Sequence, residues 1–206
     1  MLDADERLGR QQRLVRILEQ EGLKHAWIAL LILGTTAQAQ TPAPLSFSGT
    51  DVVQGTQATV ALKASQQPTV IVFVSALCPC SAAHEDALRG LAKEFQATGV
   101  RFVGIHSNQN ESPEKAREHF QTAKLGFPVL QDPGAAIADQ LGALKTPHTF
   151  VLNSDGKILY QGGVDDSHEA ATAKKFHLRD ALFALQQGKP VPVARTRALG
   201  CMISRH

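Results

Sequence analysis

The sequence has few features that point to nucleic acid, nucleotides or a membrane span. Its 206 residues carry a formal net charge of +2, with no basic cluster for nucleic acid and no charged tail. It contains no glycine-rich phosphate loop, no carboxylate pair at metal-binding spacing and no serine-hydrolase elbow. It has only three cysteines. A chain of this size folds without disulfide staples, so these cysteines need a reason other than stability.

The apolar run near the N-terminus is short. Ala26–Gly34 is uncharged, follows Lys24-His25 and precedes the small residues Ala37-Gln38-Ala39. Because a spanning helix needs roughly 20 apolar residues, this layout is typical of a cleaved signal peptide. We expect an N-terminal extension and signal peptide over residues 1–39. Export to the periplasm or another extracytoplasmic compartment follows, with no stable membrane span after cleavage.

The most informative motif is Cys78-Pro79-Cys80-Ser81. It follows the apolar, β-branched run Val70–Val74, which predicts a buried strand. The next segment, Ser81–Thr98, carries apolar residues at helical spacing. Both cysteines therefore lie where a strand passes into a helix N-terminus. Unpaired N–H groups and the helix dipole at that place stabilise a thiolate, which is the arrangement that nucleophilic sulfur chemistry needs.

The rest of the chain alternates strands and helices. Strands are predicted over 100–105, 126–130, 149–152 and 157–161, helices over 112–123, 135–141 and 171–187, and a weak hairpin over 45–62. This order predicts an α/β fold, a mixed central sheet flanked by helices on both faces. The working site is expected at the carboxyl end of the central strand, where Cys78 lies. We expect the folded domain over residues 40–190, followed by a tail, residues 191–206, that carries Cys201.

The chain resembles the redoxin group of the thioredoxin-fold superfamily. That group includes TlpA-like extracytoplasmic thioredoxins, the alkyl hydroperoxide reductase–thiol-specific antioxidant type and Sco-type copper chaperones. The matching segments are Phe73–Ser81, Phe102–Ile105, Gly126–Asp132 and Thr146–Ile158. The resemblance implies a thioredoxin fold with Cys78 as the nucleophilic cysteine. It also implies that Thr146-Pro147 is a cis-proline dipeptide that faces this cysteine and holds an incoming chain, with His148 close by.

The cysteine spacing departs from the pattern of the family. The second cysteine of a Cys-x-x-Cys motif would fall at Ser81, and Cys80 comes one residue early. A Cys78–Cys80 disulfide would close a small, strained ring. Cys201, on a tail that we expect to be mobile, is the other candidate. We therefore expect an exported thiol–disulfide oxidoreductase that needs no cofactor. Cys78 would be its nucleophile, Cys80 or Cys201 its resolving thiol, and protein thiols or disulfides its partners.

A copper-binding function remains open. Two thiolates and an imidazole suit Cu(I), so Cys78, Cys80 and His148 would form the site of a Sco-like chaperone. His84 lies four residues after Cys80 on the same helical face and is a further candidate for a Cys/His cluster.

A thiol peroxidase is the third possibility, with Cys78 passing through a sulfenic acid. The peroxiredoxin motif has a threonine or serine three residues before its cysteine, and Ser75 satisfies that position. The same motif begins with a proline, and Ile71 stands in its place. Only half of the motif is therefore present.

Overall fold

The computed structural model describes residues 46–205. The signal peptide predicted over residues 1–39 lies outside the described residues. Within the described part, none of the helices combines the length and the apolar character that crossing a membrane requires.

The described elements follow the predicted alternation. In chain order they are β1 (Ser46–Thr50), β2 (Gln57–Ala61), β3 (Thr69–Val74), α1 (Pro79–Gln96), β4 (Arg101–His106), α2 (Pro113–Ala123), β5 (Val129–Gln131), α3 (Ala136–Leu141), β6 (Lys145–Thr146), β7 (His148–Leu152), β8 (Ile158–Gly162), α4 (His177–Gln186) and β9 (Cys201–Met202). Short 3-10 turns lie at Leu62–Ala64, Pro133–Ala135 and Ala170–Thr172.

Five strands form one mixed sheet in the order β5-β4-β3-β7-β8. The central strand β3 pairs in parallel with β4 and antiparallel with β7. Every residue of β3 is buried, as its continuous apolar sequence predicts. Alternate side chains of β3 enter two different cores. Val70, Val72 and Val74 join residues of α1, α2 and α4, while Ile71 and Phe73 join residues of α3. The predicted α/β class, with helices on both faces, is thus confirmed.

Helix α1 spans Pro79–Gln96, two residues earlier at both ends than the predicted segment 81–98, and it follows the short loop after β3. Cys78 is its N-cap residue, with extended backbone angles, and Pro79 occupies the first turn, where its missing N–H costs nothing. The helix buries Leu88, Leu91 and Phe95 against the sheet. The strand and the helix together therefore fix Cys78 at the carboxyl end of the central strand.

The last helix is shorter than predicted. The sequence predicts a helix over 171–187, whereas α4 spans His177–Gln186. Asp166 accounts for the difference, because its Oδ1 accepts hydrogen bonds from the N–H groups of Lys174 (2.8 Å) and Lys175 (3.0 Å). These bonds hold residues 173–176 in a loop, a long-range contact that helical periodicity cannot reveal.

The tail is fastened to the domain at several places, although we expected it to be mobile. Near its start, the Gln161 N–H donates to the Ala194 carbonyl (2.9 Å). Strand β9 then pairs antiparallel with β6, so that Cys201 stands opposite Thr146. Ile203 is buried beyond β9, and its N–H donates to the Leu144 carbonyl (3.0 Å). The tail therefore passes over the edge of the sheet at which the central strand β3 ends, the place where the sequence predicts the site.

Gly200 is required for this crossing. Its φ of 145° lies in a region that favours glycine, and a Cβ at this position would collide with the Thr146 carbonyl oxygen. We predict that Gly200→Ala separates β9 from β6 while the five-stranded sheet stays folded. Amide hydrogen exchange should then increase in residues 196–205 and stay unchanged in β3 and β4. The control is Gly90→Ala, in α1, where a Cβ meets no atom. Unchanged protection of the tail in Gly200→Ala would contradict the prediction.

Candidate active site

The Cys78 sulfur is buried and hydrogen-bonded on several sides. The residue is 3% exposed. Its thiol donates to the Thr146 carbonyl oxygen (3.0 Å), and its Sγ accepts from the N–H of Ser81 at 3.4 Å. Its own N–H donates to Ser75 Oγ (3.0 Å). A helix N-terminal amide pointing at the sulfur favours the thiolate form, as the sequence predicts.

The Thr146–Pro147 peptide bond is cis, as the resemblance implies. Thr146 contributes two groups beside Cys78, its carbonyl oxygen and its hydroxyl. Thr146 Oγ1 is buried and has no well-formed hydrogen bond within the described residues. A Cys78 thiolate would supply the missing acceptor, so this hydroxyl helps to lower the pKa of Cys78.

Cys201 is the second sulfur of the site. The β6–β9 pairing brings its side chain close to Cys78, and both residues are free thiols. Burial alone would raise the pKa of Cys78, but hydrogen bonds from Cys201, Thr146 and the Ser81 N–H lower it below its ordinary value. The same contact raises the pKa of Cys201 to about 11, with burial as the second cause. Cys78 therefore loses its proton more readily than Cys201 does and is the more nucleophilic thiol of the pair.

Cys80 has a different contact from that of Cys78. It is half-buried in the first turn of α1, and its Sγ contacts His168 Nδ1 at 3.1 Å. Burial and the nearby Cys78 charge raise its pKa, so it is a weaker nucleophile than Cys78 at neutral pH. His168 lies in the loop before α4, and no spacing in the sequence connects it with Cys80. The sequence analysis therefore missed this contact.

His84 does not bind either sulfur. It is buried in α1, where its Nδ1 lies 2.7 Å from the Cys80 carbonyl oxygen and its Nε2 lies 3.2 Å from Asp165 Oδ1. Burial alone would lower the pKa of His84, but these two acceptors raise it above its ordinary value. The proposed membership of His84 in a Cys/His cluster is therefore wrong, because both ring nitrogens are occupied by oxygen atoms. Asp165, its partner, gave no signal in the sequence.

A buried carboxylate holds the loop that precedes Cys78. Glu111 accepts hydrogen bonds from the Ser75 hydroxyl, from the Ala76 N–H (2.7 Å) and from Asn108 Nδ2 (2.9 Å). His106 Nε2 lies 2.9 Å from Glu111 Oε2. Burial would raise the pKa of Glu111, but the bonds from His106, Ser75 and Ala76 lower it. Sequence reasoning assigned no role to Glu111 or His106.

His148 is buried rather than solvent-facing. The Leu144 N–H donates to its Nδ1 (3.3 Å), and its ring packs on Phe150 with the centroids 4.5 Å apart. Burial, with the positive charges of Arg195 and Lys145, lowers its pKa to about 4. It is therefore neutral at physiological pH and cannot stabilise the Cys78 thiolate as a cation. A role in substrate binding through Thr146, Pro147 and His148 stays a prediction.

No group of three or more His, Cys, Asp or Glu side chains in residues 46–205 is arranged to hold a metal ion. Cys78 binds Thr146 and Cys201, Cys80 binds His168, and His148 binds Leu144. The three residues of the copper hypothesis thus have separate partners in this arrangement.

The fold and the site together define a class of protein. A mixed sheet, a cysteine that caps the helix after the central strand, and a cis-proline beside that cysteine are the marks of a thioredoxin-fold redoxin. The sequence model of the AhpC/TSA family matches residues 39–161, more than half of the chain. The chain belongs to the AhpC/TSA family. The tail with Cys201 lies beyond the matched residues.

The chain is also similar to individual proteins. Over 97 residues the chain is 26% identical to the thiol-disulfide oxidoreductase ResA of Halalkalibacterium halodurans, covering 46% of this chain and 53% of ResA. The chain thus spans about half the length of that curated relative. An uncharacterized conserved protein from Geobacillus kaustophilus is 31% identical with a TM-score of 0.72, covering 80% of this chain and 90% of that structure. The hypothetical protein SMc02350 from Sinorhizobium meliloti 1021 is 27% identical with a TM-score of 0.70, covering 80% and 92%.

The Thr146 hydroxyl gives a testable contribution to the acidity of Cys78. We predict that Thr146→Val, made in a Cys80→Ser background, raises the pKa of Cys78, because the thiolate loses a donor. The alkylation rate of Cys78 at pH 7 should fall several-fold, and the midpoint of its pH profile should move to higher pH. Thr122→Val, on an exposed position of α2, is the matched control. An unchanged midpoint in Thr146→Val would show that the hydroxyl does not reach the sulfur.

Glu111 gives a second prediction, which concerns stability. Its pKa is lowered from the ordinary 4.5, so its contribution is present at neutral pH and is lost as the pH falls through the folded-state value. Glu111→Gln should cost about 1–3 kcal/mol of unfolding free energy at pH 7, because it leaves buried donors unpaired. The difference from wild type should shrink as the pH falls below 4.5. Urea titrations at both pH values, with the exposed Glu118→Gln as control, measure it; a pH-independent difference would contradict the argument.

Proposed function

We propose that this chain is an exported thiol–disulfide oxidoreductase in which Cys78 is the nucleophile and Cys201 the resolving thiol. The observation that carries the proposal is the β6–β9 register, which sets Cys201 opposite Thr146, the residue whose carbonyl oxygen lies 3.0 Å from Cys78 Sγ. The similarity to ResA, which is named a thiol-disulfide oxidoreductase, supports the same reaction class. Export is supported by the signal-peptide pattern of residues 24–39.

The first step is an attack of the Cys78 thiolate on a disulfide of a partner protein. A new sulfur–sulfur bond joins Cys78 to one partner cysteine, the partner disulfide breaks, and its other sulfur leaves as a thiolate. Cys78 starts this step because its pKa is the lowered one of the pair. Strand β9 pairs with Thr146 in this structure, so the tail would move aside before the Thr146-Pro147 edge positions the incoming chain.

The second step uses Cys201. While Cys78 is a thiolate, the hydrogen bond to it is the largest cause of the raised pKa of Cys201. Once Cys78 is bonded to the partner it carries no charge, so this cause disappears and Cys201 loses its proton more easily. Its thiolate then attacks Cys78 Sγ, the partner leaves as a thiolate, and a Cys78–Cys201 disulfide forms. Two electrons have passed from the enzyme dithiol to the partner disulfide. The first step therefore activates the residue that performs the second.

Disulfide mapping of the exported protein across glutathione redox buffers tests the assignment. We expect a Cys78–Cys201 bond that opens reversibly and that persists in Cys80→Ser. In Cys201→Ser we expect mixed disulfides with partner proteins to accumulate on Cys78, because the second step is absent. Cys80→Ser is the matched control, since it removes a cysteine that contacts His168 instead.

Three outcomes would count against the proposal. A Cys78–Cys80 bond would make Cys80 the resolving thiol. Three thiols that stay reduced in every buffer would remove the dithiol mechanism and favour Cu(I) binding. Rapid formation of a sulfenic acid on Cys78 by low peroxide, without exchange on protein disulfides, would favour a peroxidase.

A further inference from the structure

We propose that reducing equivalents enter through Cys201: an external thiolate attacks the Cys201 sulfur of the oxidised pair, and Cys78 is the leaving group. This inference rests on the proposed Cys78–Cys201 disulfide and deepens it, because it assigns the two sulfurs to different reaction partners. The partner disulfide would be reduced at Cys78, and the dithiol that regenerates the enzyme would bind at Cys201.

The first reason is that an external thiol reaches the Cys201 sulfur more easily than the Cys78 sulfur. Cys78 is 3% exposed, enclosed by the loop after β3, by Thr146 and by the tail. Cys201, on the tail, is by contrast an exposed residue. The tail is held on both sides of Cys201, by the buried Ile203 and by Gly200 against the Thr146 carbonyl. A thiol from solvent therefore meets the Cys201 sulfur first.

The second reason is that a thiolate is more stable on Cys78 than on Cys201. In thiol–disulfide exchange, the sulfur that leaves more readily is the one whose thiolate is more stable. A Cys78 thiolate would accept hydrogen bonds from the Ser81 N–H and the Thr146 hydroxyl, and it would lie at the N-terminus of the 18-residue helix α1. Within residues 46–205, the groups that act most strongly on Cys201 are Cys78, Cys80 and Glu111, all of which disfavour its negative charge. Access and leaving-group stability therefore select the same sulfur for attack.

The steps balance with a dithiol protein, or two molecules of a small thiol, as the reductant. The external thiolate forms a bond to Cys201 Sγ, the Cys78–Cys201 bond breaks, and the electron pair stays on Cys78 as a thiolate. A second reductant thiol, as its thiolate, then attacks the reductant sulfur in the mixed disulfide. Cys201 leaves as a thiolate and takes a proton. The reductant has become a disulfide and the enzyme has regained both thiols.

The test uses the full chain in a Cys80→Ser background, oxidised until mapping shows the Cys78–Cys201 bond. Glutathione is added in the presence of excess iodoacetamide, which alkylates the released thiol before it can react back. Each event leaves glutathione on the attacked sulfur and a carbamidomethyl group on the leaving one. We expect glutathione on Cys201 to exceed glutathione on Cys78 by at least about tenfold. Equal yields, or more glutathione on Cys78, would overturn the inference.

Two variants test whether shielding of Cys78 by the tail causes the preference for attack at Cys201. Gly200→Ala should detach the tail, expose the Cys78 side of the disulfide and lower the preference for Cys201. Gly90→Ala should keep the preference of the parent. If the preference persists unchanged in Gly200→Ala, shielding by the tail does not direct the attack. Failure of the underlying oxidoreductase proposal has a different signature, because then no Cys78–Cys201 disulfide forms before glutathione is added.

Discussion

The pairing of β9 with β6 is the constraint on which the site depends, because it joins two cysteines that lie far apart in the sequence. Closing such a long loop costs conformational entropy, so the tail must be fixed by several contacts at once. The structure supplies them around Cys201. Gly200 allows the backbone to approach the Thr146 carbonyl, Ile203 is buried, and Arg205 Nε donates to Asp139 Oδ1 at 2.8 Å. The chemistry of Cys78 therefore depends on tail residues that are far from it in the sequence but beside it in the fold.

Placing two thiols together would achieve little if they were equivalent. Their environments differ, since the helix N-terminus and the Thr146 hydroxyl favour a charge on Cys78, whereas Glu111 and the Cys78 charge disfavour one on Cys201. The fixed groups around the two sulfurs thus decide which thiol is the nucleophile and which is the resolving thiol, and no separate base is required. Neutral His148 fits this arrangement, because its lowered pKa removes it as a source of positive charge.

The sequence predicted the parts of the fold that depend on local signals. The buried run of β3 and the position of the two cysteines at the start of the following helix were recognisable because each is encoded within a few residues. The cis-proline came from the resemblance and is present. The position of the tail was not predictable, since a two-residue strand has no periodicity and its partner is another two-residue strand.

The same limit applies to the polar contacts of the site. His168 on Cys80, Asp165 on His84 and Glu111 on Ser75 each join residues more than thirty positions apart. A lone histidine or carboxylate in a sequence is ambiguous, because its role depends on what the fold brings beside it. The sequence therefore predicted the position of Cys78 at the end of β3 but gave no information on the groups that contact it.

Glu111 shows why these supporting groups matter together. The Cys78 N–H donates to Ser75 Oγ, and the Ser75 hydroxyl donates to Glu111. Asn108 also donates to Glu111, while its Oδ1 accepts the N–H of Ser204 in the tail (2.7 Å). The loop that carries Cys78 and the tail that carries Cys201 are thus anchored to the same short segment after β4. Both anchors are linked to the same buried carboxylate, Glu111. The distance between the Cys78 and Cys201 sulfurs is therefore fixed by contacts on the buried side of the site. The groups that fix this distance are buried, so they do not occupy the exposed side of the site, where a partner must bind.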